Sequence, residues 1–356
     1  MKALVIGPIV ADYDIGYNDS VARALNGHGF ETRKVEFYVT TPPGLANRIL
    51  IDAAMLVGHR RHYDAYVADF NRRVLDQYKA FRPDLVFVIR GSKLSAETLD
   101  AMGSARKVIW FHDSARRSDI SPEQLRLYDR VYVFEAGDIP WLREQLGIES
   151  SFLPMGFDPD VYRPMPEVEK DIDVFFVGKY YPERRETLER LARDFADRKL
   201  RFYGRYVRYR EPKTWGQHLR YKLSGQGGVF INRSLNPGEI NRMYARAKIC
   251  LNMHHAQSSH GCNPRVYEIM GAGAFQLVDD LPYLRDTLGD VLDRYADYGQ
   301  LRDAIAHFLF DDAARERATD TSRRAALTDH SFARRLGVVL ADLDMPRDPG
   351  AQGTQP

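Results

Sequence analysis

The sequence predicts an α/β protein of two doubly wound, Rossmann-like domains, and three observations carry that expectation. The chain has 356 residues, more than one hydrophobic core usually organises. Short β-rich apolar runs alternate with longer amphipathic stretches, the signature of βαβ units and a parallel sheet covered on both faces. The alternation stops at a proline-rich break and then restarts.

In the first half the strands are expected at Ala3–Ile6, Thr32–Phe37, Leu85–Ile89, Lys107–Phe111, Arg130–Phe134 and Ser151–Leu153. Helices fill the intervals, including a long aromatic-rich stretch from His62 to Phe81. The break runs from Leu153 to Pro166, where four prolines and a glycine forbid a regular element. After it come a strand at Asp173–Val177, a helix at Pro182–Phe195, strands at Leu200–Tyr203 and Val229–Ile231, a helix from Pro237 to Ala247 and a strand at Ile249–Asn252. The expected division is therefore a first domain at 1–153, a linker at 154–170, a second domain at 171–328, a closing helix at 329–345 and a disordered tail at 346–356. Arg323–Leu343 reads as a terminal helical region.

Composition excludes several classes. Hydrophobic residues make up 44% and charged residues 28%, the balance of a soluble globular protein. Lys+Arg 51 against Asp+Glu 49 leaves a formal net charge of +2, so nothing draws the whole chain to nucleic acid and any basic site is local. The apolar run Ala3–Ile6 breaks at Gly7-Pro8, too short for a signal-peptide core, and no later segment reaches a spanning length, so a cytoplasmic location is expected. Cys250 and Cys262 make no metal spacing and are expected reduced and buried.

The densest chemistry lies between Cys262 and Val278. A helix enters through Asn263-Pro264 and leaves through Gly271-Ala272-Gly273, the expected punctuation of proline at the start and glycine at the exit. Arg265 and Glu268 are three apart and share a face of that helix. Its opening presents free N–H groups and a positive dipole end suited to phosphate. Glu268 suits ribose hydroxyls and Arg265 a diphosphate, although a surface i,i+3 ion pair explains the two residues equally well.

Arg265-Val266-Tyr267-Glu268, followed by Gly271-Ala272-Gly273 and a strand ending in Asp279, resembles the sugar-nucleotide segment of group 1 glycosyltransferases. Asn263-Pro264-Arg265-Val266-Tyr267-Glu268 is similar to the Asn-x-Arg-x-aromatic-Glu pattern of the spore-maturation (CgeB-like) glycosyltransferases. The linker Leu153–Pro164, the run Gly238–Asn252 and His330–Arg335 resemble the same family's crossover, pre-donor segment and closing helix.

The resemblance implies a GT-B fold, two Rossmann-like domains facing each other across a cleft with the C-terminal helix returning to the first. It implies transfer of a sugar from a nucleoside-diphosphate donor, as co-substrate and with no cofactor, to an acceptor of unspecified kind bound in that cleft. The alternatives left open are a sugar-nucleotide epimerase of the same fold and a non-catalytic sugar-nucleotide-binding protein. One position departs from the pattern: retaining members carry a Glu eight places before the ribose-binding Glu, and here that place holds His260.

Further candidates follow from strand ends, where open α/β sheets bind ligands. Lys179 and Arg184, with Arg185, follow the first strand of the second domain and are expected to hold the diphosphate with Arg265, while Asn263 and Glu268 complete the donor-binding set. His112 ends a strand of the first domain, as does a donor-touching histidine in group 1 enzymes, and is a catalytic candidate with His260 and Asp14. Asp12 or Asp14 suits a general base if the reaction inverts, or simply a turn. Among the Asp-x-Asp triplets 12/14, 158/160, 171/173 and 342/344 only the first sits at a strand end, and no metal is assigned. Residues 205–222 interleave positive charge with aromatics; peripheral membrane contact ranks ahead of nucleic acid there, and a solvated insertion explains the stretch as well.

Overall fold

The structure is a computed structural model that describes residues 1–9, 16–38, 61–207, 212–255 and 260–347. It divides into two compact units, Met1–Met155 with Phe332–Pro356, and Gly156–Ser331.

The first unit holds β1 (Lys2–Ile9), α1 (Tyr17–Gly27), β2 (Glu31–Tyr38), α2 (Arg61–Phe81), β3 (Leu85–Ile89), α3 (Ala96–Asp100), β4 (Arg106–Phe111), α4 (Pro122–Leu125), β5 (Arg130–Val133), α5 (Asp138–Leu146) and β6 (Ser151–Phe152). The six strands form one parallel sheet in the order β2-β1-β3-β4-β5-β6. Every residue of β3 is buried, as a central parallel strand covered on both faces requires. This is why Leu85–Ile89 is an unbroken apolar run rather than an alternating one.

The C-terminal helix Phe332–Asp342 belongs to this unit. The His28 ring lies 2.8 Å from the carbonyl of Ala333. The Phe332 ring packs edge-on to Trp110, and the Tyr132 hydroxyl donates to Asp342 at 2.6 Å. The expected return of the chain end to the first domain is thus held by both apolar and polar contacts.

The second unit contains β7 (Ile172–Val177), α6 (Pro182–Asp194), β8 (Leu200–Tyr203), α7 (Pro212–Leu223), β9 (Phe230–Ile231), α8 (Pro237–Arg246), β10 (Ala247–Asn252), α9 (Arg265–Gly271), β11 (Gln276–Asp279), α10 (Pro282–Leu288), β12 (Asp293–Tyr295), α11 (Tyr298–Phe308) and α12 (Asp312–Asp329). Its parallel sheet runs β12-β11-β10-β7-β8-β9. The chain therefore works outward from β7 to β9, crosses back, and continues from β10 on the other side. α8 starts where Asn236 and Glu239 form a reciprocal capping box ahead of Pro237.

The terminal helical region Arg323–Leu343 comprises the end of α12 and a separate helix that begins at Phe332. They break at His330-Ser331 because the amide of Phe157 donates to the His330 carbonyl at 3.0 Å and Phe157 bridges Ser331 in parallel. An extended pairing of this kind is incompatible with helical backbone at the same residues.

Candidate functional site

β7 and β10 are neighbours in the sheet although their chain directions of progress diverge, so the gap beyond their carboxyl ends is the switch point at which open α/β sheets bind ligands. Four sequence candidates meet there. Arg184, in the first turn of α6, donates to the Met253 carbonyl at 2.6 Å and to the Lys179 carbonyl at 3.2 Å. These bonds draw the guanidinium over the strand ends instead of leaving it in solvent. Arg265 opens α9, and the two cations repel: burial first, then Arg265, lowers the pKa of Arg184. Asn263 donates from Nδ2 to Oδ1 of Asn252 at 2.9 Å. Glu268 is buried, and burial raises its pKa against the opposing pull of Arg265 and the hydroxyls of Tyr162 and Tyr244. Glu268 is thus inside the unit, while Arg265 is half-buried.

Residues beyond the sequence candidates complete the cluster. His254, just past β10, lies with Nδ1 2.6 Å from Oδ1 of Asp279, and its amide donates to Oδ2 at 2.8 Å. Asp279 ends β11, and it also acts electrostatically on Arg184 and Tyr295. The available signal was positional: Asn252 and Asp279 are the last residues of their strands, and His254 follows one of them.

Several buried polar atoms here make no hydrogen bond among the described residues: Nε of Arg184, Nδ2 of Asn252, Nε2 of His254 and Oδ1 of Asn263. Native interiors satisfy nearly all such atoms, so a cluster of them marks a place where a ligand supplies the partners. With Nδ1 held against Asp279, the His254 ring turns Nε2 into the cluster. The set thus offers the guanidinia of Arg184 and Arg265, an amide donor on Asn252, an amide acceptor on Asn263 and a ring nitrogen on His254, the complement of an anionic, hydroxyl-bearing molecule.

The remaining candidates fall differently. Lys179 is exposed, and its backbone carbonyl rather than its side chain is tied into the cluster. His260 is exposed at the end of the loop leading to Asn263. Asp12 and Asp14 lie outside the described residues. The other Asp-x-Asp pairs serve the fold: Asp158 caps the Asp160 amide, Asp171 pairs with Arg246, Asp173 with Lys248, and Asp342 accepts from Tyr132. α9 has only seven residues and begins at Arg265, with Pro264 at its cap position rather than inside it. A helix that short adds little dipole, so side-chain charge carries the electrostatics expected of the helix start. Both cysteines are buried and neither forms a disulfide among the described residues, and burial pushes the Cys250 thiol up to about 12.

His112 belongs to the first unit, just past β4. Its ring meets Trp110 edge-on at 4.3 Å and Tyr17 at 5.2 Å. Both ring nitrogens are buried without a hydrogen bond among the described residues, and this desolvation lowers the pKa from 6.5 to about 3. A depressed pKa means that the unfolded chain takes up the proton first. The stability His112 contributes is complete above pH 6.5 and is lost as pH falls toward 3, by at most about 1.4 kcal/mol per pH unit. Urea unfolding between pH 4 and 7 is expected to show this slope, and His112→Phe to flatten it.

Residues 184–341 match the family model described as glycosyl transferase-like. No curated protein sequence matches the chain. Three solved structures are similar over nearly the whole length. Sucrose-phosphate synthase from Thermosynechococcus elongatus is 12% identical, with TM-score 0.64, over 97% of this chain and 99% of that one. Anabaena HepE in complex with UDP-glucose is 13% identical, with TM-score 0.62, over 97% and 99%. An α,α-trehalose-phosphate synthase (UDP-forming) from Burkholderia vietnamiensis is 16% identical, with TM-score 0.61, over 97% and 100%. With its two six-stranded parallel sheets and these neighbours, the chain has the two-domain GT-B fold and carries a glycosyl transferase-like segment at residues 184–341.

Proposed function

We propose that the protein is a glycosyltransferase that binds a nucleoside-diphosphate sugar at the strand ends of its second unit and transfers the sugar to an acceptor. The observation that carries this is the half-buried cluster around Arg184: two guanidinia close enough to repel, beside buried polar atoms that lack partners among the described residues. A diphosphate relieves the repulsion, and charge developing on the departing diphosphate strengthens the same contacts, which is the form of stabilisation that accelerates a reaction. Arg184 and Arg265 are assigned to the diphosphate, Glu268 to the ribose hydroxyls, and Asn263 with His254 to the remaining polar groups of the donor. Charge neutralisation by arginine makes a metal-independent reaction the preferred reading. HepE with UDP-glucose and the UDP-forming trehalose-phosphate synthase support a uridine donor. The CgeB-like pattern Asn263–Glu268 supports the narrower family assignment. His112 is assigned a hydrogen-bonding role as neutral imidazole, since its lowered pKa makes it a weak base.

Isothermal titration with a panel of nucleoside diphosphates tests the reading. Binding by at least one is expected, and Arg265→Ala and Glu268→Ala weaken it. Failure of every diphosphate to bind, or binding indifferent to both substitutions, overturns the proposal.

Glu268 adds a pH signature. Ribose hydroxyls donate to an ionised carboxylate, whereas burial holds the Glu268 pKa above its ordinary value in the free protein. Binding therefore expels a proton when pH lies below that value. The dissociation constant is expected to rise by up to about tenfold per pH unit on acidification below it and to level off above. Glu268→Gln binds more weakly at neutral pH and loses this component, checked by titration from pH 5 to 8.

A further inference from the structure

Six large hydrophobic side chains are prominently exposed among the described residues, and three share one helix: Trp215 (55%), Leu219 (56%) and Leu223 (79%). They stand at i, i+4 and i+8 of α7, one continuous stripe along its outer side. The opposite side is committed to the unit's interior. Tyr221 is buried and stacks on Phe230 at 4.1 Å; Gln217 donates to Glu189 at 3.2 Å; the His218 ring is 3.0 Å from the Tyr206 hydroxyl. The helix is therefore anchored, and the stripe is a fixed feature of the surface rather than a core face awaiting its own chain.

The charges beside the stripe have one sign. At about 100° per residue, Lys222 falls on one flank of the apolar residues and Arg220 and Lys213 on the other. Arg220 is paired with Glu189 at 2.7 Å, while Lys213 and Lys222 make no ion pair among the described residues. From Arg198 to Arg233 the sequence holds ten Lys and Arg residues and one acid, Glu211.

We infer that α7 is an interfacial helix that docks the second unit on an anionic lipid surface. Tryptophan settles at headgroup depth, the two leucines reach the acyl boundary, and the flanking lysines meet lipid phosphate. The leucines decide the partner class. Nucleic acid would use the cations and the aromatic ring but gives Leu219 and Leu223 nothing to bury against. This surface is distinct from the strand-end cluster, so its test is independent of nucleotide binding.

The full-length protein is sedimented with vesicles of phosphatidylcholine alone or mixed with phosphatidylglycerol. Association with the anionic vesicles is expected, weakening with salt and much lower on phosphatidylcholine alone. Leu219→Glu/Leu223→Glu is expected to reduce it at least tenfold and Lys213→Gln/Lys222→Gln several-fold. All four positions are exposed, so the melting temperature and nucleoside-diphosphate binding stay as in the parent. Absence of sedimentation with anionic vesicles overturns the inference, as does sedimentation unaffected by the leucine pair. Self-association or RNA binding abolished by the leucine pair, with no vesicle binding by the parent, overturns it in favour of that other partner.

Discussion

Replacing Arg184 with methionine is expected to weaken nucleoside-diphosphate binding by about 100-fold, the scale of losing one buried, charge-assisted contact to an anion. The same substitution is expected to leave the unliganded protein as stable as the parent, or more so. Arg184 is a half-buried cation whose pKa is lowered by desolvation and by Arg265, so the folded state bears a cost for it that methionine, of similar length, does not impose. Against this stands the Met253 carbonyl, which loses its 2.6 Å donor, a loss of about 1 kcal/mol. Titration calorimetry and thermal unfolding of the same variant separate the two effects. A large fall in melting temperature without nucleotide would mean that Arg184 is part of the framework. Unchanged binding would remove it from the site.

The second large effect is expected from Gly204→Ala. A methyl group at Gly204 would lie 2.0 Å from the carbonyl oxygen of Gly178 and 2.8 Å from the Tyr180 ring. The first obstacle is backbone, and the Gly178 amide is itself bonded to the Tyr203 carbonyl at 3.0 Å, so no side-chain rotation relieves the contact. The ends of β7 and β8 must separate, at a cost of about 1–3 kcal/mol. The segment displaced, Gly178-Lys179, carries the carbonyl that accepts from Arg184. Gly204→Ala is thus expected to lower both stability and nucleotide affinity, whereas Arg184→Met lowers affinity alone. Urea unfolding and calorimetry on the two variants check this contrast. Gly271 obeys the same logic, since a methyl group there would meet the buried Phe157 ring at 2.2 Å.

The two Rossmann-like domains were legible before any coordinates because their determinants are local. Leu85–Ile89 is uniformly apolar where β3 is covered on both faces, Pro182 and Pro237 open helices, and the prolines between Leu153 and Pro166 interrupt the pattern between the two sheets. Element ends were less legible. The expected start of the closing helix at 329 carries no strong breaker, and the helical break lies at His330-Ser331, where Phe157, remote in the sequence, pairs with the chain.

The site divides in the same way. Arg265 and Glu268 could be named from their spacing, and Arg184 from its place after a strand, since both are features of neighbouring residues. The burial of Glu268, and the approach of two guanidinia, depend on β7 and β10 lying side by side, a long-range pairing with no mark in either segment alone. For that reason the sequence pointed to Lys179, whose side chain is exposed, and passed over His254, whose orientation comes from Asp279 on another strand. Short-range pattern determined which residues had the right chemistry. Tertiary structure decided which of them are desolvated together, because burial and hydrogen-bond satisfaction are set by whatever the rest of the chain packs around a group.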